Sequence, residues 1–262
     1  MKKTAALLVW FCCSLTVANA QSCDGAGAVQ ARVKAVTDDA EIILEDDKRL
    51  LLNGIEISDL TRKTLLPPLR EGLPAGEAIL YLASSTPDRW NRYPALVFLP
   101  PEGSYGTDWI QETIAAKGFA RALPGSLPAP CWSRLLQAES SARKAGEGIW
   151  RNPDATVVAA TALERLKELD GHRAIIFGKP VSFGQGRATI YLNFGVKRYD
   201  AFTLMIAKRR LKSFERAGMT PSALVGRALR VRGVVLAGRQ PRIEAYAPED
   251  IELLEEGADG SR

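Results

Sequence analysis

The sequence predicts a mainly β fold with helices (α+β), arranged as two small barrel-like units joined by a helix. Three observations carry that expectation. Short apolar runs rich in Val, Ile, Leu and aromatics recur along the chain, bounded by Gly, Pro, Asn and Asp. Helical spacing is confined to a few stretches between them. The chain has 262 residues, 46% hydrophobic and 25% charged, which is globular composition with length for one or two cores.

Residues 1–20 read as a secretory signal. Lys2 and Lys3 supply the charged start, an apolar run follows, and Ala18-Asn19-Ala20 is a cleavage site, with cleavage after Ala20. The run is too short to remain as a stable membrane anchor. The expected compartment is periplasmic or secreted, and the lysine pair and short signal are bacterial in style. Cys12 and Cys13 leave with the signal, so Cys23 and Cys131 remain. Two cysteines in an oxidising compartment read as one disulfide. Neither lies in a CxxC, and the single His172 excludes most histidine-based catalysis and zinc chemistry.

The mature chain opens at 31–59 with a strand, a tight turn at Asp46-Asp47 and a long second strand through Leu50, Leu51, Leu52 and Ile55. Helical spacing follows over 60–73, where Pro67-Pro68 is expected to end or kink the helix. Strands are expected at 77–82 and 93–99, with the polar loop SSTPDRWNR between them. Thr107 is a candidate cap for a helix ending near Gly118, and 119–123 reads as a short strand. A helix over 131–144 is stopped by Gly146 and Gly148.

The segment 154–172 reads as a connecting helix, with Leu163, Leu166 and Leu169 at helical spacing. Beyond it, strands are expected at 173–183, 187–194 and 200–207, then a short basic helix at 208–217, then strands at 229–237 and 242–246. The order β-β-β-α-β-β is that of an oligonucleotide/oligosaccharide-binding (OB) fold. The unit is assigned to 173–256, with an acidic tail at 257–262.

Three stretches resemble, in order, signatures of the thermonuclease (staphylococcal nuclease-like) family. The opening hairpin with LLNGIEISD resembles that family's R-L-x-G-I-D-x-P-E. Asp88-Arg89-Trp90-Asn91-Arg92 resembles its D-R-Y-G-R. AESSARKAGEGIWRNP, at 138–153, resembles its closing A-E-x-x-A helix and G-I/L-W. The resemblance covers about 31–153 and implies a thermonuclease-like, five-stranded OB barrel over 21–153. It also implies calcium-dependent phosphodiester hydrolysis. That chemistry needs carboxylate oxygens for the ion, a carboxylate for the attacking water, and two arginines for charge growing on the phosphate.

Carried over residue by residue, the resemblance places Arg92 as one catalytic arginine and Asp59 as the catalytic acid. Glu56 falls on one calcium ligand, and Asp39 on the other after a one-residue shift from Ala40. Arg89 and Trp90 are expected to face nucleic acid. The second catalytic arginine falls on Leu51 and is missing, with Arg49 two residues earlier on the same strand face. Losing one such donor costs about 10²–10³ in rate. A degenerate catalytic set is therefore expected.

Charge points the same way. Residues 173–242 hold fifteen basic side chains against Asp200 and Glu215, a net of +13. Such a segment fits nucleic acid or another polyanion. Candidate contacts are Arg187, Tyr191, Lys197, Arg198, Lys208, Arg209 and Arg210, since OB faces stack bases on aromatics and track the backbone with basic groups. Three functions remain open: a polyanion-binding protein on a degenerate nuclease barrel, a working calcium-dependent nuclease, and a cell-envelope interaction module.

Overall fold

The fold is taken from a computed structural model, which describes residues 23–100, 108–125, 127–196 and 201–255. The expected signal segment at 1–20, Thr107, Lys197, Arg198 and the tail at 257–262 lie outside these residues. No helix among the described residues is long and apolar enough to cross a membrane.

The first half is a mixed α+β unit around a closed five-stranded barrel. Its strands are β1 (Val29–Val36), β2 (Ile42–Leu44), β3 (Arg49–Leu52), β4 (Ala78–Ala83) and β5 (Arg92–Leu99). The pairing order is β3-β2-β1-β4-β5, and β3 pairs with β5 in parallel to close the ring. A register shift between Val33 and Ala35 lets β1 serve two partners, β2 with one half and β4 with the other. Helix α1 (Asp59–Gly72) lies between β3 and β4, the position an OB-like order requires. A short β6 (Asp108–Trp109) extends the sheet, and α2 (Ile110–Ala116) and α3 (Ala129–Ala145) pack beside it. Val33, Ile42, Leu44, Leu50, Leu52, Ile79 and Phe98 fill the core by the period-two alternation of their strands.

Several local expectations are corrected. The first expected strand is two, because a turn at Thr37–Ala40 interrupts it, with Ala40 at φ 57° and its N–H on the Thr37 carbonyl. Pro67 and Pro68 do not break α1. Each proline costs about 3 kcal/mol inside a helix. Burial of Leu65 and Leu69 against the barrel offsets this, at about 1.5–3 kcal/mol per side chain. The stretch 119–123 forms only a bridge between Ile55 and Ala122. Cys23 and Cys131 are joined in a disulfide with their Cα atoms 5.4 Å apart, tying the N-terminal end of the described chain to α3.

The second half forms two four-stranded sheets around its own core of Ile176, Ile190, Leu192, Phe202, Leu204, Phe214, Val231 and Ile243. Its elements are β7 (Val158–Ala159), α4 (Leu163–Glu168), β8 (Arg173–Gly178), β9 (Ser182–Gln185), β10 (Thr189–Asn193), β11 (Thr203–Ala207), α5 (Leu211–Arg216), α6 (Pro221–Leu224), β12 (Leu229–Val234), β13 (Arg242–Ala245) and β14 (Ile251–Leu253). One sheet runs β13-β11-β10-β9 and the other β14-β12-β8-β7. The expected strand over 173–183 is split at Lys179-Pro180, and proline has no N–H to continue a ladder. The segment 154–172 is not one helix: β7 pairs in parallel with β8, and only α4 is helical in the α sense.

The halves meet at a third cluster of Ala142, Ile149, Trp150, Ala155 and Ile175. Beside it, fully buried Glu139 on α3 accepts from Arg232 of β12, from Arg143 and from the Ala122 N–H.

Candidate nucleic-acid interface

The β4–β5 loop builds the most distinctive surface. Asp88 folds it: one carboxylate oxygen accepts from the backbone N–H groups of Trp90 (2.9 Å) and Arg92 (3.0 Å). Its other oxygen takes Arg92 Nε at 2.9 Å and Nη2 at 2.7 Å, a two-point ion pair. The Arg92 hydrogen bond holds the Asp88 carboxyl below its ordinary range, and the same bond raises the Arg92 pKa. Asn91 sits at φ 60°, a conformation asparagine tolerates. This tight fold turns Trp90 outward, where it is 54% exposed. The Arg89 guanidinium lies 3.9 Å from the Trp90 ring centroid and that of Arg92 4.8 Å.

Arg49 joins the same surface. The parallel β3–β5 register sets Arg49 directly opposite Arg92. Buried Glu41 lies between them, taking Arg49 Nε at 3.0 Å on one oxygen and Arg92 Nη1 at 3.4 Å on the other. Arg49 also reaches the Trp90 carbonyl at 3.5 Å. Sequence reasoning missed Glu41. Arg49 stood out only as an arginine two residues early. The available signal was its strand face, shared with Leu51, and the missing information was the cross-strand register.

The remaining expected catalytic and metal residues have other arginines as neighbours. Asp59 opens α1 with its side chain 99% exposed, 3.7 Å from Arg62. Asp39 is exposed and 3.6 Å from Arg62. Glu56 is buried and paired with Arg121 at 2.9 Å, and that arginine also donates to the Arg173 carbonyl. Glu56 and Asp59 line an open cleft of about 660 Å³ with Arg121, Arg173 and His172. No group of three His, Cys, Asp or Glu side chains among the described residues is placed to hold a metal ion. The proposed ligands Glu56 and Asp39 are each engaged by an arginine, so the residues present do not fit a calcium ion.

In the second half, the Lys208 N–H bonds the Ala188 carbonyl, which brings Arg187 at the hairpin close to Lys208 and Arg209. All three side chains are exposed. Arg210 instead turns to Tyr246, donating to its carbonyl at 3.1 Å and lying 5.0 Å from its ring centroid. Tyr191 is half-buried on the outer face of β10, in a separate cleft whose described lining residues carry no charge.

Comparison with protein-family models finds no match. Comparison with curated proteins finds none either.

Proposed function

We propose that this is a periplasmic or secreted protein with a degenerate thermonuclease-like barrel, which binds single-stranded nucleic acid or a similar polyanion around Trp90. The observation that carries the reading is the exposed Trp90 ring with Arg89 and Arg92 against it and Arg49 alongside. A half-exposed indole offers a base a stacking surface, and neighbouring guanidinium groups follow phosphates. The closed barrel with β3 parallel to β5, and the D-R-W-N-R loop, support the thermonuclease-like reading. The second half is read as OB-like on its strand pairings: β8 pairs with β12, while β9, β10, β11 and β13 follow in order, with β11 parallel to β13. Its exposed Arg187, Lys208 and Arg209 supply a second basic surface.

The test is fluorescence anisotropy of a labelled 20-nucleotide single strand across a salt series. Affinity is expected to fall steeply with salt. Trp90→Ala is expected to weaken binding by about 1–3 kcal/mol, roughly 5- to 150-fold. Salt-insensitive binding, or none, would move the chain to the cell-envelope interaction reading.

A second reading, a working nuclease, is favoured by the Arg49–Arg92 register, which supplies an arginine pair despite Leu51. It predicts strand cleavage that is lost in Arg92→Ala and depends on calcium. The Glu56–Arg121 and Asp39–Arg62 pairs argue against that dependence.

A further inference from the structure

Strand β9 (Ser182–Gln185) ends the β13-β11-β10-β9 sheet, and among the described residues no strand pairs along its outer side. Its register with β10 sets Phe183 opposite Leu192, Gly184 opposite Tyr191 and Gln185 opposite Ile190. The Gly186 N–H bonds the Thr189 carbonyl at 2.8 Å, which makes those two a hydrogen-bonded pair. Antiparallel pairs alternate between bonded and non-bonded, so Gly184 directs its peptide groups to β10. The N–H and C=O of Phe183 and Gln185 therefore point out along the open edge. Exposed edges are ordinarily blunted by lysine, proline or an inward charge. The strand reads Ser-Phe-Gly-Gln and has none of these.

Its side chains add to the edge. Phe183 shares the face of Leu192, which is buried in the core, yet Phe183 is 39% exposed because nothing flanks it on the far side. Val181, just before the strand, is 47% exposed. Gly184 lies between the two residues whose peptide groups face outward, and an added Cβ there would meet nothing within 4 Å. Glycine inside a strand weakens it and often marks the close approach of another backbone.

We infer that β9 pairs antiparallel with β9 of a second copy of this chain, about a two-fold axis at Gly184. In that register the strand is its own complement. Phe183 stands opposite Gln185 of the second copy, and Gln185 opposite its Phe183, so the outward peptide groups satisfy one another. The two glycines face each other on the axis. The two Phe183 rings lie diagonally across it on the core face, within reach of each other, and each covers its counterpart. Charge permits the pairing. Arg187 lies three residues beyond the axis, so its counterpart is six residue steps away, about 20 Å. Lys179 lies beyond Pro180, where the strand line breaks. A two-fold pairing uses both β9 edges and closes, whereas pairing β9 with a different edge of the next copy would propagate. The result joins the second-half sheets of two copies into one. With one short strand on each side, the contact is smaller than a standard interface, so association is weak and follows concentration.

The experiment is sedimentation velocity of the full chain from low micromolar to millimolar concentration. The average mass is expected to rise from one chain towards two. Gln185→Pro removes an outward N–H from each copy without touching a β9–β10 bond, and should keep the chain monomeric with an unchanged melting curve. Gly184→Lys and Gly184→Glu each set like charges opposite one another on the axis, and each should weaken self-association about fivefold or more. Mixed in equal amounts, the two variants set opposite charges there and should associate again. Should Gln185→Pro melt early, the mixture decides, because mixing does not cure a folding defect. A chain that stays monomeric at millimolar concentration overturns the inference. Self-association untouched by a well-folded Gln185→Pro overturns it as well, and so does a mixture of the two Gly184 variants that associates no better than either alone.

Discussion

Replacing Glu139 with Gln should unlock the junction between the two halves. Glu139 is fully buried and makes four hydrogen bonds. Arg232 Nη1 and Nη2 meet its two oxygens at 2.9 and 2.7 Å, Arg143 adds a bond at 2.7 Å, and the Ala122 N–H another at 2.7 Å. Burial alone would raise the Glu139 pKa, but the charge and hydrogen bonds of Arg232, with Arg143 and Ala122, hold it below its ordinary value. The group is therefore ionised in the neutral protein.

A glutamine keeps the shape but leaves Arg232 and Arg143 buried with only Glu252 nearby, which meets Arg232 at 3.3 Å. Breaking a buried pair by removing one partner costs about 3–5 kcal/mol. At about 2–4 °C per kcal/mol for a chain of this size, the melting temperature should fall by roughly 6–20 °C. Urea and thermal unfolding at pH 7 measure this directly. The triple change Glu139→Met, Arg143→Met and Arg232→Met removes all three charges and should recover much of the loss. The sign with pH follows from the depressed folded pKa. The contribution is full above the unfolded carboxyl value of about 4.3 and is lost as pH falls through the lower folded value. The gap between wild type and Glu139→Gln should therefore close in acid. A cost under about 1 kcal/mol at pH 7, or a gap unchanged down to pH 3, would refute the reasoning.

Other outcomes are expected. Reduction of Cys23–Cys131, which closes a loop of 108 residues, should lower stability by about 4–5 kcal/mol in the chain-entropy account. An unchanged urea midpoint in reductant would contradict that. Gly148→Ala should destabilise by at least about 1–3 kcal/mol, because φ is 53° there and the new Cβ would lie 2.1 Å from the Gly118 carbonyl oxygen. A melting curve within a degree of wild type would show that the Gly118–Gly148 contact relaxes freely. Arg49→Ala should weaken oligonucleotide binding and also cost stability, since buried Glu41 then keeps only the longer contact to Arg92. Calcium should leave the melting temperature unmoved, because its expected ligands are held by arginines, and a rise that saturates with calcium would count against that geometry.

Features set within a few residues were legible in the sequence. Asp46-Asp47 makes its turn, with Asp47 at φ 63°, and Gly146 ends α3 in the left-handed conformation. The strands near 77–82 and 93–99 and the helix ahead of them were readable, because period-two patterning and turn chemistry are local, whereas the break of the first strand at 37–40 was not. The D-R-W-N-R loop was likewise readable, since Asp88 acts on groups two and four residues away.

What tertiary structure decided was pairing across distance. Arg49 meets Arg92 only through the parallel register of strands forty residues apart, and Glu41 enters their site only because a turn at Ala40 aims it there. Glu56 and Asp59 read as a metal and catalytic pair, yet Arg121 claims one and solvent the other. Pro67 and Pro68 remain helical because leucines on the same helix are buried against a barrel that the helix does not itself encode. Local torsional preferences amount to about 1 kcal/mol per residue, whereas burial and ion pairing are worth several. The sequence alone thus determined most of the strands and helices, and the assembled core determined the remaining ones and which side chains meet.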